Sequence, residues 1–257
     1  MFGPEIIAAF FVTALLYSSV GFGGGSTYTA LLVLSGMPLR LVPLVALAGN
    51  IIVVAIGARR FARSGALSFA RFWPLALLAM PFAWIGGSLA LPSSLFTGLL
   101  AGALLVSGAA MILRPGSPTA DAPDPPSRAI DMASGAGLGF VAGVTGIGGG
   151  IYLSPLLHMR RWGTARLIAG TCAMFILVNS LAGMAGQLTK ADPADLISLA
   201  SSVWPLGLAV MAGGYIGSRT GALKLSERTL RIVSAALILY VGCRLGLRVA
   251  DEWAQSS

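Results

Sequence analysis

The feature that most constrains the fold is a series of ten apolar runs that fill nearly the whole chain. Crossing a hydrocarbon core of roughly 30 Å takes about 20 residues of α-helix. Six runs supply about that length: 40–58, 71–91, 95–113, 164–187, 196–222 and 228–249. Only 10% of the 257 residues are charged and 56% are hydrophobic, whereas about a quarter of a soluble domain is charged. We therefore predict an all-α integral membrane protein.

The four shorter runs form two pairs, 4–19 with 26–36 and 129–145 with 150–159, and glycines interrupt each pair. The interruptions read Gly21-Phe22-Gly23-Gly24-Gly25 and Gly146-Ile147-Gly148-Gly149-Gly150, an offset of 125 residues (146 − 21). The flanking sequences, SVGFGGGSTYTALLVL and VTGIGGGIYLSPLLHM, are also similar. The chain is thus predicted to contain two repeats, 1–113 and 129–257, joined by a hydrophilic, proline-rich linker, 114–128. Each repeat would combine a glycine-broken helical hairpin with three long transmembrane helices.

The distribution of lysine and arginine predicts the orientation. Whether each short pair is a re-entrant hairpin or two short crossings, the chain returns to its starting face. On that basis 13 (17 − 4) of the 17 cations lie on one face, and four lie on the other: Arg40, Lys190, Arg244 and Arg248. If each pair made one broken crossing, the split would be 9 to 8 and the positive-inside bias would vanish. We expect both termini outside the cytoplasm and the two repeats inverted relative to each other.

The glycine runs predict an anion site. Consecutive glycines weaken a helix by about 1 kcal/mol each, and each run precedes a short helix whose unpaired N–H groups and positive dipole end point into the break. Two such breaks would create a site for a small anion near the bilayer midplane. Its predicted members are the backbone donors Gly23, Gly24, Gly25, Gly148, Gly149 and Gly150, the hydroxyl donors Ser26, Thr27, Tyr152 and Ser154, and the lining amides Asn50 and Asn179. Alternatively, the amides only form hydrogen bonds between helices.

Other residues narrow the function. All nine acids fall in loops, at termini or at the edges of spans, which disfavours cation transport and a carboxylate proton relay. The only histidine, His158, precedes Arg160 and Arg161 and is expected to be solvated at the interface. No catalytic or metal-ligand motif is present, so we expect no enzymatic activity, cofactor or metal. The expected partners are the anion and the lipid bilayer, with no nucleic acid, and the oligomeric state stays open. Lone glycines, including Gly86, Gly98, Gly102 and Gly217, are expected to let helices pack closely.

The duplicated G-x-G-G-G element, the step Arg63-Ser64-Gly65, and Gly-Ser-Arg before Lys224-Leu225-Ser226 resemble the sulfite exporter TauE/SafE family of bacterial permeases. The resemblance covers nearly the whole chain apart from the linker, and the second glycine element, with Pro155-Leu156-Leu157 after it, is the closest match. It implies movement of sulfite, organosulfonates or other small carbon-containing anions. We therefore expect a secondary transporter that exports such an anion. An anion channel and a non-transporting structural subunit remain as alternatives.

Overall fold

The computed structural model describes residues 2–20, 23–63, 65, 67–113, 127–220 and 227–256, and within those ranges it contains α-helices and no strands. The helices of the first half are α1 Pro4–Val20, α2 Gly25–Leu34, α3 Val42–Arg63, α4 Phe69–Ser88 and α5 Ser93–Leu113. Those of the second half are α6 Arg128–Thr145, α7 Gly150–Met159, α8 Ala165–Lys190, α9 Pro193–Thr220 and α10 Glu227–Ser256. Most of the predicted linker, together with Gly21, Phe22, Ser64 and the stretch 221–226, lies outside the described residues.

The all-α membrane fold predicted from the sequence is confirmed. Each of the ten apolar runs coincides with one helix, and α3, α4, α5, α8 and α9 are long and apolar enough over their described residues to cross a bilayer. The sixth predicted span, 228–249, lies within α10. Large apolar side chains such as Trp73, Trp84, Leu113 and Leu247 are exposed. Their exposure suits a surface that faces lipid rather than water.

Each short pair of helices returns towards the end of the bundle where it began. Phe2, Gly3 and Glu5, before or at the start of α1, line one cavity together with residues 34–38, at and just beyond the end of α2. In the second half, Asp131 at the start of α6 forms an ion pair with Arg160 just beyond α7, at 2.6 Å. The two ends of each pair are therefore neighbours. The predicted split of 13 cations on one face and four on the other assumes this return of each short pair to its starting face.

Close packing between the halves relies on glycines. α4 packs along α6 and α1 packs along α9. A Cβ at Gly86 would collide with the Phe140 carbonyl, and one at Gly217 would collide with the Leu15 carbonyl. The predicted packing role is confirmed at these two positions. It is wrong at Gly98 and Gly102, because a Cβ at either would meet nothing within 4 Å, and both line a cleft of about 330 Å³ between α5 and α6.

The apolar core has three clusters that follow the duplication. The first joins α1, α2, α3 and α9 through residues such as Phe10 and Tyr28. The third joins α7, α8 and α4 through Leu153, Phe175 and Leu75, with partly buried Leu138 from α6. In two five-helix repeats, α1 corresponds to α6, α2 to α7, α3 to α8, α4 to α9 and α5 to α10. By this correspondence the helices of the first cluster match those of the third. The second cluster lies on α2, α5, α7 and α10, which are two corresponding pairs. The packing therefore supports two copies of one unit, and their inverted orientation stays a prediction.

Candidate functional site

Each glycine break places a glycine in the left-handed region at the start of a short helix. Gly24 is the N-cap of α2, with φ 92° and ψ 10°, and Gly149 is the N-cap of α7, with φ 76° and ψ −19°. Residues with a Cβ rarely adopt this conformation. Because both N-caps are glycines, neither helix has a side-chain cap. No side chain therefore competes for the first-turn N–H groups, and of these the Tyr152 N–H donates to the Gly149 carbonyl at 3.2 Å. The other first-turn N–H groups are the candidates for binding a ligand.

The two breaks meet at one side chain, Asn50 of α3, which is fully buried. Its Nδ2 donates to the carbonyl of Gly146 at 3.4 Å. A Cβ built on Gly23 would lie 2.6 Å from Asn50 Oδ1, and one built on Gly148 would lie 2.7 Å from Asn50 Nδ2. A Cβ on Gly25 would collide with the same amide. The amide thus occupies the space that three of the predicted site glycines leave open.

The backbones of the breaks also approach each other directly. A Cβ on Gly25 would lie 2.5 Å from the carbonyl oxygen of Ile147, in the opposite break. On the α8 side, the position of a Cβ on Gly148 is 3.4 Å from Ser180 Oγ. Ser180 was not predicted from the sequence. The available signal was its spacing of four residues from Ile176, which also contacts this glycine.

The remaining predicted glycines face away from Asn50. A Cβ on Gly24 would meet Thr13 and Tyr17 of α1, whereas one on Gly149 would meet Phe175 of α8. Gly150 packs against Ile176, also on α8. These three glycines shape the breaks and allow close packing, and their N–H groups are their contribution to a site.

The predicted hydroxyl donors have different surroundings. Ser26 is buried in the first turn of α2. The hydroxyl groups of Thr27 and Tyr17 are 3.0 Å apart and share a hydrogen bond. The Tyr152 hydroxyl donates to the Ala103 carbonyl of α5 at 2.6 Å. Since its single hydrogen is committed there, Tyr152 cannot donate to an anion in this arrangement.

Several buried polar atoms have no hydrogen-bond partner in the described part of the chain. They are Tyr28 Oη, Thr29 Oγ1, Asn50 Oδ1, Ser154 Oγ, His158 Nε2, Thr171 Oγ1, Ser180 Oγ, and both amide atoms of Asn179. All of them lie on α2, α3, α7 or α8, the four helices that form or line the breaks. Buried polar atoms normally have a partner. Of these atoms, Asn50 Oδ1 and Ser180 Oγ lie beside the glycines of the breaks, where a polar ligand would gain contacts.

Two other polar side chains have roles that the sequence did not distinguish. Gln187 donates through Nε2 to the Gly143 carbonyl at 2.8 Å, which is the interhelical role considered for such amides. The expectation for His158 is wrong, because the side chain is only 5% exposed and its Nδ1 donates to the Ser154 carbonyl, 2.8 Å away. The end of α7 is covered by Trp162, whose indole nitrogen contacts Asp131 at 3.5 Å. A position near cationic residues therefore did not imply solvation.

Comparison with known proteins decides the family. The profile of the family described as sulfite exporter TauE/SafE matches residues 6–245. The chain belongs to the sulfite exporter TauE/SafE family. This TauE/SafE chain is 38% identical over 243 residues to the probable membrane transporter protein y4hK of Sinorhizobium fredii, a match that covers 92% of this chain and 95% of that protein. No solved structure matches it.

The TauE/SafE membership and the membrane transporter relative make the chain a multi-pass membrane transporter. Within the ranges that the structure describes, no group of three or more His, Cys, Asp or Glu side chains is placed to hold a metal ion. The chemistry available at the breaks of this TauE/SafE protein is consequently that of backbone N–H groups, one shared amide and several hydroxyls. Neutral donors of this kind suit an anion.

Proposed function

We propose that this protein is a secondary transporter that exports a small anion, sulfite or an organosulfonate, held between the two glycine breaks. The observation that carries the proposal is the meeting of both breaks at Asn50. Two uncapped helix N-termini concentrate partial positive charge and N–H donors in one place. Ser26, Thr27, Ser154, Ser180 and Asn179 supply further polar groups around them, all buried.

The charge pattern supports an anionic substrate. The acids in the described membrane helices lie near helix ends, and the one that is fully buried, Asp131, is paired with Arg160. A transported cation would ordinarily need a carboxylate at depth. An anion bound by dipoles needs no such partner. An inside-negative potential of 100 mV favours export by about 2.3 kcal/mol per negative charge.

The topology that we propose consists of two inverted repeats, 1–113 and 129–257, in a bacterial inner membrane with both termini outside the cytoplasm. The return of each short pair to its starting end supports it, since that return gives one face 13 of the 17 cations. The positive-inside rule places that face in the cytoplasm. Inverted repeats would bring the two breaks together near the midplane, where discontinuous helices bind substrate in other transporters.

Counterflow in proteoliposomes tests the proposal. Vesicles are loaded in turn with unlabelled sulfite, methanesulfonate, sulfate or acetate, and uptake of labelled methanesulfonate is followed at zero membrane potential. Saturable uptake driven by internal sulfite or sulfonate is the expected result. Flux that does not saturate and shows no counterflow would indicate a channel. No flux with any anion would leave the glycines with a packing role only.

Asn50→Asp tests the position of the site. The substitution preserves shape but places a negative charge between the two helix N-termini, so we expect at least a hundredfold loss of counterflow, equivalent to about 2.7 kcal/mol. Asn50→Ala is the neutral control, which removes the amide and adds no charge, and it should retain measurable flux. Wild-type counterflow in Asn50→Asp would show that the anion does not bind beside this residue.

A further inference from the structure

A second polar cavity lies at the end of the bundle that holds the N-terminus. It has a volume of about 690 Å³. Its walls come from the connections between α2 and α3, between α4 and α5, and between α8 and α9, together with the end of α10. It is separate from the glycine breaks, and the proposed function does not use it.

Three of the four cations assigned to this face line the cavity: Arg40, Lys190 and Arg248. The fourth, Arg244, lies on α10 one turn before Arg248 and is not part of the lining. Each lining cation comes from a different segment of the chain. Most of the few cations on this face therefore line the same cavity.

Two acids, Asp192 and Asp195, also line the cavity, so its three cations exceed its acids by one charge. Asp195 forms an ion pair with Arg40 at 3.1 Å. Asp192 accepts the N–H of Ala194 through Oδ1 at 2.8 Å, which caps the start of α9. Lys190 Nζ donates to the Leu89 carbonyl at 2.7 Å. That bond holds the ammonium group at the cavity wall and uses one of its three N–H donors.

The inner wall of the cavity is in contact with the second glycine break. Gln187 lines the cavity and also donates to the Gly143 carbonyl in the last turn of α6. Pro43 lines it too, and a Cβ on Gly146 would lie 2.6 Å from Pro43 Cα. Both residues therefore connect the cavity lining to the second break, where the Gly146 carbonyl accepts a hydrogen bond from Asn50.

We propose that this cavity is a second anion-binding site, an outer vestibule in which Lys190 and Arg248 hold a small oxyanion that has left the glycine breaks. The chemical class of the ligand, a sulfonate or related oxyanion, rests on the proposed function. The competing explanation is that the cations only stabilise the loops between helices through hydrogen bonds, as Lys190 does with the Leu89 carbonyl at the end of α4. The two explanations differ in whether a positive charge at these positions attracts an anion.

A cysteine at Ser93, an exposed residue of the lining, provides the probe. In a Cys243→Ser background, Ser93→Cys is reacted with two membrane-impermeant methanethiosulfonates, one bearing a sulfonate and the other a quaternary ammonium. The ratio of their rates reports the charge sensed in the cavity. We expect a high sulfonate-to-ammonium ratio and protection of the thiol by excess methanesulfonate.

Lys190→Gln and Arg248→Gln should each lower that ratio by about two- to fivefold, as expected for one charge several Å away in a partly aqueous cavity. Glutamine at 190 keeps a donor for the Leu89 carbonyl. Arg244→Gln is the matched control, the same change one turn away, and should leave the ratio unaltered. Ratios in Lys190→Gln and Arg248→Gln equal to that of Arg244→Gln, or no protection by methanesulfonate, would overturn the vestibule. Counterflow measured in parallel reports separately on the proposed function.

Discussion

Gly148→Ala tests the most demanding feature of the second break. Gly148 has φ 85°, so an alanine there costs about 1–2 kcal/mol in backbone strain. The new Cβ would also lie 2.7 Å from Asn50 Nδ2 and 3.1 Å from Ile176 Cγ2. Displacing such neighbours costs about 1–3 kcal/mol in a packed core. The total loss in the free energy of unfolding is then about 2–5 kcal/mol.

Gly36→Ala separates the two contributions. Gly36, in the connection between α2 and α3, has φ 77°, and a Cβ there would meet nothing within 4 Å. This variant therefore carries the backbone strain without the collision. The difference between the two variants isolates the collision at about 1–3 kcal/mol, which corresponds to a melting temperature about 2–12 °C lower for Gly148→Ala than for Gly36→Ala.

The assay is thermal unfolding of both purified variants in the same detergent, followed by counterflow after reconstitution. We expect Gly148→Ala to reach the membrane, to melt below Gly36→Ala, and to lose counterflow because the added methyl group and the side chains that it displaces obstruct the space between the breaks. Because Gly36 also lines the cavity assigned to the second anion site, Gly36→Ala serves as the control for stability only. Equal melting temperatures, together with wild-type counterflow in Gly148→Ala, would refute the description of the breaks as meeting at Asn50.

Two further predictions concern residues outside the breaks. Tyr152→Phe removes the hydrogen bond to the Ala103 carbonyl and should lower stability by about 1 kcal/mol, while counterflow persists; a large loss of counterflow at normal stability would instead make the hydroxyl a substrate contact. Asp131→Asn should cost about 3 kcal/mol, because it leaves the partly buried Arg160 without its ion partner. Asp195→Asn breaks the more exposed pair with Arg40 and should lower the free energy of unfolding by less than about 1 kcal/mol in the same denaturation assay. An equal loss of stability in Asp131→Asn and Asp195→Asn would contradict the difference in burial between the two ion pairs.

The helices were predictable because a membrane leaves few solutions for an apolar run. A backbone in hydrocarbon must satisfy its own hydrogen bonds, so length and hydropathy alone define most helix bounds. For example, the short apolar run predicted at residues 150–159 forms α7, Gly150–Met159. The glycine breaks were predictable for the same reason, since consecutive glycines interrupt such a helix.

The details of the site were less predictable, because they depend on contacts between distant segments. Asn50 was identified as a lining residue, but nothing in its neighbourhood indicated that both breaks would contact it. Tyr152 carries a suitable hydroxyl, yet that hydroxyl donates to the carbonyl of Ala103 in α5, a residue 49 positions earlier in the sequence. His158 is buried although Arg160 and Arg161 follow it, and its Nδ1 donates to the Ser154 carbonyl of its own helix. Local sequence contains none of this information.

The position of Asn50 has a consequence for how many anions one chain can hold. In the second break Ile176 takes the place that corresponds to Asn50, because a Cβ on Gly148 or Gly150 would meet Ile176 just as one on Gly23 or Gly25 would meet Asn50. The two breaks therefore have two helix N-termini but only one amide of α3 or α8 in contact with both of them among the described residues. The polar groups around the two breaks are therefore not symmetric. A bound sulfonate would have a preferred orientation, with its oxygens towards the amide and N–H groups and its organic substituent pointing away from them. Under the proposed function, the two breaks would therefore form a single pocket that binds one anion.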